Sequence, residues 1–179
     1  KKLMKNFKKV LTLANIIKVG VLALAIVAFC MMFVNQCFFE KTVAGITVRE
    51  DYGFDYVFGG KEDLPVAVAS LIGYILLLVG GLLTGATMFV SFKKKGLNIL
   101  IVGVGILCLL AGTILAGSVR ESFLAANKDT AIGALYKVSD LKLGTGAIVA
   151  ILCGAVATLG ACSVVFLPLV ADTKKKKRK

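Results

Sequence analysis

Few residues in this chain are able to do chemistry, and their spacing excludes most of it. There is no histidine among the 179 residues, which removes imidazole as metal ligand, general base or proton relay. Cys30, Cys37, Cys108, Cys153 and Cys162 form no C-x-x-C pair, so a dithiol redox centre is not expected. Only Cys37 falls near the outer surface, and the other four read as small apolar packing residues. Gly103-x-Gly105 lacks the further glycines and the following Lys-Ser/Thr that a phosphate-binding loop needs. No Asp or Glu interrupts an apolar stretch, which argues against proton-coupled antiport, where a membrane carboxylate carries the coupling. Away from their ends, the polar residues inside those stretches are Ser70, Tyr74, Thr84, Thr87, Thr113, Thr158 and Ser163. They can bond to carbonyls of their own helices, or line a thinly hydroxylated path for a small solute. No catalytic, cofactor or metal site is expected, and an enzyme would have to draw its groups from Asp, Glu, Lys or Tyr in the loops.

The elements that position these residues are set by hydropathy. The chain is 58% hydrophobic with a mean hydropathy of +0.90, far from an ordinary soluble domain. A bilayer core roughly 30 Å thick needs about 20 apolar residues in a helix, and residues 19–39, 65–92, 97–119 and 143–171 each meet that length. Only Lys18 and Asp172 touch the edges of these spans. The expected fold is an all-α membrane protein: a four-transmembrane-helix bundle carrying a small extracytoplasmic β-hairpin and an N-terminal amphipathic helix.

Charge sets the expected threading, because short cytoplasmic segments retain Lys and Arg. Residues 1–18, the turn 93–96 and the tail 172–179 together hold 15 basic residues, against 7 in the loops 40–64 and 120–142. Both termini are therefore expected in the cytoplasm, with the protein in the plasma membrane. The net charge of +12 is carried by lysines that flank apolar spans and are not interleaved with aromatics, so the bilayer with its anionic headgroups is the expected partner, and nucleic acid is not. The headgroup candidates are Lys5, Lys8, Lys9, Lys18, Lys93, Lys94, Lys95, Lys174, Lys175, Lys176, Lys177, Arg178 and Lys179.

A basic start followed by an apolar run can also be a signal peptide. Cleavage would need small residues at the site, whereas this run continues through Met31, Met32 and Phe33 into Asn35 and Gln36, so a retained helix is expected. Upstream, Leu3, Phe7, Val10, Ala14 and Ile17 recur at helical spacing with lysines on the other side, as in an interfacial amphipathic helix. Because the chain begins at Lys1 and not at Met, a longer natural start is expected.

The first outer loop has the period of a strand. Tyr52, Phe54, Tyr56 and Phe58 alternate with Gly53, Asp55 and Val57, which places four rings on one face of an extended segment. Residues 42–48 are the expected partner strand, with Arg49, Glu50 and Asp51 as the turn. The aromatic face is either a lid packed on its own helices or an edge for a partner. Asp63 is expected to cap the second span, with Pro65 in its first turn. In the second loop, Asp129 or Thr130 heads a short helix in which Ile132, Leu135 and Tyr136 share a side. The turn 93–96 is so short that the second and third spans must be antiparallel neighbours, with Gly96 as helix cap.

In lipid, close backbone approach replaces hydrophobic exclusion as the main attraction between helices. Ala147, Ala150, Gly154, Ala157 and Ala161 form one narrow stripe on the fourth span. Gly81 with Gly85 forms a small-xxx-small pair on the second, and Gly112 with Ala116 forms another on the third. Bundle packing is the expected use, with a pore or dimer seam as the alternative. Pro168 is expected to bend the end of the fourth span.

The basic start, the motif Tyr56-Val57-Phe58-Gly59-Gly60, the Pro-led second span and the Gly-rich remainder resemble uncharacterised four-span membrane proteins of low-GC Gram-positive bacteria. The layout is also similar to claudin-type four-helix proteins, whose first outer loop forms a small sheet, although their Trp and paired-Cys signature is absent. Two functions follow as expectations. One is a non-catalytic scaffold or accessory subunit that binds a membrane or extracytoplasmic protein partner. The other is a small channel or transporter formed by self-association.

Overall fold

The computed structural model describes residues 13–43, 46–59, 64–89 and 95–176. Four long helices dominate it: α1 (Leu13–Cys30), α3 (Val68–Phe89), α4 (Lys95–Gly117) and α7 (Thr145–Lys176). Each contains a window long and apolar enough to cross a membrane, and by length and composition the chain is a multi-pass membrane protein. Between α1 and α3 lie a 3-10 turn (Met31–Phe33), strands β1 (Cys37–Val43) and β2 (Ile46–Tyr52), and the one-turn helix α2 (Phe54–Val57). Between α4 and α7 lie α5 (Val119–Ala126), α6 (Ala131–Leu135), a second 3-10 turn (Val138–Asp140) and β3 (Leu141–Leu143).

The four long helices form a ring in which α1 packs on α3 and α7, and α4 packs on the same two. The closest seam joins α3 to α4, and paired glycines explain it. A Cβ on Gly80 would stand 2.7 Å from the Gly105 carbonyl oxygen, and one on Gly112 would stand 2.7 Å from that of Gly73. Neither position has room for a side chain, so the two backbones touch. Gly81 and Gly85 face α1 instead, against Ala25 and Leu22. The α7 stripe behaves as the spacing predicts: Ala147, Ala150, Gly154, Ala157 and Ala161 are all buried, as is Ala116. Gly154 lies against Thr113 and Leu77, and fully buried Leu77, Tyr74 and Leu109 fill the middle of the ring.

The boundaries depart from the expected ones where polar residues intervene. Residues 37–39 belong to a strand and not to the first span, because Asn35 and Gln36 take the chain out of the helix. Pro65 precedes α3 by three residues rather than sitting in its first turn; Ala67 is tied instead to the end of α2, its N–H donating to the Val57 carbonyl at 2.9 Å. Asp63 lies outside the described residues. The third span ends at Gly117, and the chain resumes as α5 after Ser118, whose hydroxyl donates to the Leu115 carbonyl at 2.9 Å. The α7 helix continues through Pro168 to Lys176.

The expected hairpin exists, but in a different register and with a third strand. β1 pairs antiparallel with β2 from Cys37 opposite Tyr52 to Val43 opposite Ile46. Arg49, Glu50 and Asp51 are therefore strand residues, not a turn. β3, from the second loop, pairs antiparallel with the other edge of β1, Cys37 opposite Leu143 and Phe39 opposite Leu141, giving the order β2-β1-β3. Strand stops at Tyr52, and Phe54–Val57 is helical. The rings of Phe54 and Phe58, four residues apart, stack at 5.9 Å, a helical spacing that overrides the period of two.

Candidate functional site at the sheet end of the bundle

The sheet sits on one end of the helix ring, fastened by a buried polar knot. Gln36 is fully buried. Its Nε2 donates to the carbonyls of Met31, Met32 and Val34 at 2.7, 3.1 and 2.7 Å, and its Oε1 accepts from the Tyr74 hydroxyl. The Gln36 carbonyl accepts from Gly144 N–H, and the Asn35 carbonyl from Gly146 N–H, both at 2.8 Å. Gly144 and Gly146 abut the backbone of residues 31–36 so closely that a Cβ on either would collide with a carbonyl oxygen. One glutamine thus ties the end of α1 to α3, and its own backbone extends the tie to the start of α7. Apart from marking the end of the first span, Gln36 gave no signal in the sequence.

The two faces of the sheet differ. On the outward face, Phe38 lies under the Arg49 guanidinium at 4.2 Å, with Lys142 Nζ 5.9 Å from the same ring. Lys142 bridges Glu40 at 2.6 Å and Arg49 bridges Asp51 at 2.9 Å. The hydrogen bond from Lys142, and then its charge, hold the Glu40 carboxyl below its ordinary range. Such exposed pairs add little stability.

The inward face is aromatic and drier. Tyr52 packs on Phe123 of α5 at 5.1 Å and edge-on to Tyr56 at 5.7 Å, while Phe39 stacks on Tyr136 at 4.4 Å. Phe58 rests edge-on against Tyr74, and Phe54 lies tilted against Phe33 at 4.9 Å. The four aromatic residues singled out by spacing are therefore brought together, but as the packing of a lid on its own helices. Tyr52 and Phe58 are only 6% exposed, so neither offers a surface to a partner. Cys37 is fully buried on this face rather than near a surface; burial pushes its thiol up to about 12, against a weaker opposing pull from the Arg120 charge.

An open cavity of about 510 Å³ lies between β2 and the α6 helix, lined by Glu50, Asp51, Tyr52, Tyr56, Ile132, Leu135, Tyr136 and Ala131. One exposed carboxylate gathers two of its rings: Glu50 Oε2 accepts from the Tyr52 hydroxyl at 2.9 Å and from the Tyr136 hydroxyl at 3.2 Å. Burial, then the hydrogen bond to Glu50, raises both phenols above their ordinary range. The short helix with Ile132 and Leu135 is present behind Thr130, as the sequence led one to expect, although Thr130 makes no side-chain cap there. Nothing in the sequence brings Glu50 together with Tyr136, since the two belong to different loops. Among the described residues, no group of three or more His, Cys, Asp or Glu is placed to hold a metal.

At the opposite end of the bundle, Lys18 Nζ reaches the Thr87 carbonyl at 3.4 Å, tying α1 to the C-terminal turn of α3, where free carbonyls favour a cation. Lys5, Lys8, Lys9, Lys93, Lys94, Lys177, Arg178 and Lys179, and with them most of the expected amphipathic segment, lie outside the described residues. Lys95 opens α4 and Lys174–Lys176 close α7. Comparison with protein-family models and with curated proteins found no match.

Proposed function

We propose that the chain is a non-catalytic membrane scaffold or accessory subunit that holds an extracytoplasmic or membrane protein partner at the sheet end, with both termini in the cytoplasm of a plasma-membrane protein. One observation carries the reading. Among the described residues β2 is paired on one side only, and its first half is exposed, with Ile46 at 69% and Val48 at 50%. An unpaired strand edge of this kind presents main-chain donors and acceptors for another strand, with alternate side chains to select it. The lid beneath is rigid, since Tyr52, Phe58 and Gln36 anchor it to three elements, and a rigid platform binds at lower entropic cost.

Conduction by an oligomer draws less support from the same residues. The hydroxyls of Thr84, Thr113, Thr158 and Ser163 donate to carbonyls in their own helices, at 2.9, 2.7, 2.8 and 2.7 Å. Ser70 donates across the bundle to Leu115, and Thr84 and Thr87 are buried.

The test is extraction in mild detergent, with the mass of the intact particle measured for the wild type and for an Ile46→Asp, Val48→Asp double variant. A stoichiometric partner present with the wild type and lost from the variant is the expected result. A homo-oligomer unchanged by the two substitutions would overturn the reading and turn attention to solute flux in liposomes.

A further inference from the structure

We propose that the cavity between β2 and α6 is a binding site for an organic ammonium ion. This goes beyond the partner-binding reading and does not depend on it, because the cavity uses Glu50, Tyr56 and Tyr136 rather than the exposed Ile46 and Val48. Three features of the cavity point to such a ligand.

The first is charge. Glu50 makes no ion pair with any Lys or Arg among the described residues, and its carboxylate accepts from two neutral phenols. Its neighbour Asp51 is already matched by Arg49, on the opposite face of the sheet. Glu50 is exposed at the mouth of the cavity, and an organic cation seated against it would supply the opposite charge that the two phenols do not.

The second is the wall. Tyr136 and the half-buried Tyr56 line the cavity with the carboxylate, while buried Tyr52 adds only its hydroxyl, and aromatic rings attract a cation through their quadrupole while tolerating the methyl groups of an alkylated amine. A hard metal ion is a poorer match, since it would need several oxygen ligands at short range, and of the two acids that line the cavity Asp51 is already engaged by Arg49 and Asn35. The third is the remaining lining. Ile132 and Leu135 give one side of the cavity an apolar surface suited to the carbon part of the ligand, and the volume of about 510 Å³ falls in the range of small-molecule sites.

The rings are held in place independently of any ligand. Tyr52 is fixed by Phe123 and Tyr136 by Phe39, and both hydroxyls are drawn to the same carboxylate oxygen, so little ordering remains to oppose binding.

The experiment is calorimetric titration of the full chain in a maltoside detergent with choline, with its neutral tert-butyl isostere dimethylbutanol, and with short-chain phosphatidylcholine. Saturable binding of an ammonium probe is expected, at least about tenfold tighter than the isostere, a ratio typical of charge recognition. Binding of free choline would assign the site to a soluble amine, and binding only of the phosphatidylcholine to a lipid headgroup; both uphold ammonium recognition. Glu50→Gln and Tyr136→Leu should each weaken binding by about tenfold, whereas Tyr136→Phe, which keeps the ring, should change it by less than about threefold. Thermal unfolding of each variant separates loss of the site from loss of the fold. Equal binding of choline and its isostere by the wild type, or no saturable binding of either ammonium probe, would overturn the proposal.

Discussion

The Tyr74 hydroxyl donates to Gln36 Oε1 inside the bundle, joining the second turn of one long helix to the segment that leaves another. Both side chains are fully buried, so neither group can turn to water if the other is removed. Tyr74→Phe is expected to cost about 1–3 kcal/mol, the cost of stranding a buried acceptor. Gln36→Leu strands three carbonyls and should cost more. The double variant should cost less than the sum, because one partner is no longer left behind. Unfolding of detergent-solubilised protein by heat or denaturant checks all three, and strict additivity would show that the two side chains do not act as a unit.

The glycine seam is predicted to be position-specific. Gly80→Ala and Gly112→Ala should each destabilise by about 1–3 kcal/mol, since the added methyl meets backbone atoms that have nowhere to move. Gly103→Ala lies in the same helix as Gly112 but has nothing within 4 Å of the added carbon, and it should be neutral or slightly stabilising. A stability ranking that placed Gly103→Ala with the other two would contradict the packing described for α3 and α4.

Cys37 is predicted to resist alkylation. With its thiol held up to about 12 by burial, it carries almost no thiolate at pH 8, and it is shielded from reagents. Maleimide labelling should be slow in the folded protein and fast once the sheet is unfolded. The linkage sign follows from the raised value. The buried neutral thiol favours the folded state below the ordinary thiol range, and that contribution is lost as pH rises from about 9 towards 12. Mass spectrometry of labelled peptides at pH 8 and pH 10 reads both effects.

Glu40 gives the opposite sign. Its depressed carboxyl favours the paired state above the ordinary carboxylate range, and the Lys142 bridge is released as pH falls through the lowered value. Because the pair joins β1 to β3, acid should lower the protection factors of the amides at Leu141–Leu143, taken against the intrinsic exchange rate at each pH, before it affects the long helices. Lys142→Met should remove that pH dependence, which hydrogen-exchange mass spectrometry would detect.

Tyr52→Ser should loosen the sheet end by about 3 kcal/mol, the scale for truncating a buried ring, and make the β1–β2 segment more sensitive to proteolysis. Tyr56→Ser, at a half-buried ring, should do so to a smaller extent. Unchanged cleavage in the double variant would contradict the packing of Tyr52 on Phe123.

The long helices were legible in the sequence because length and hydropathy are nearly sufficient to specify a span, and the small-residue stripes because helical spacing reports a face directly. The register of the hairpin was not. Tyr52, Phe54, Tyr56 and Phe58 satisfy a period of two, yet Phe54 and Phe58 also satisfy a spacing of four, and contacts with Phe33 and Tyr74 decide for the helix. β3 is three residues long, too short to carry a period, and is held in place by Leu141 and Leu143 opposite β1. The meeting of Glu50 with Tyr136 depends on that same pairing, so the cavity was invisible until the two loops were placed together.

The three-stranded sheet also dates its own completion. Its central strand follows the first span, but the strand that closes one edge precedes the fourth. During synthesis β1 and β2 emerge early and wait with that edge open until Leu141–Leu143 has been delivered to the same side. Gly144 and Gly146 can lock onto residues 35 and 36 only then. A chain stopped after its third long helix would carry an open edge on β1 and a Gln36 carbonyl without the Gly144 N–H that satisfies it here.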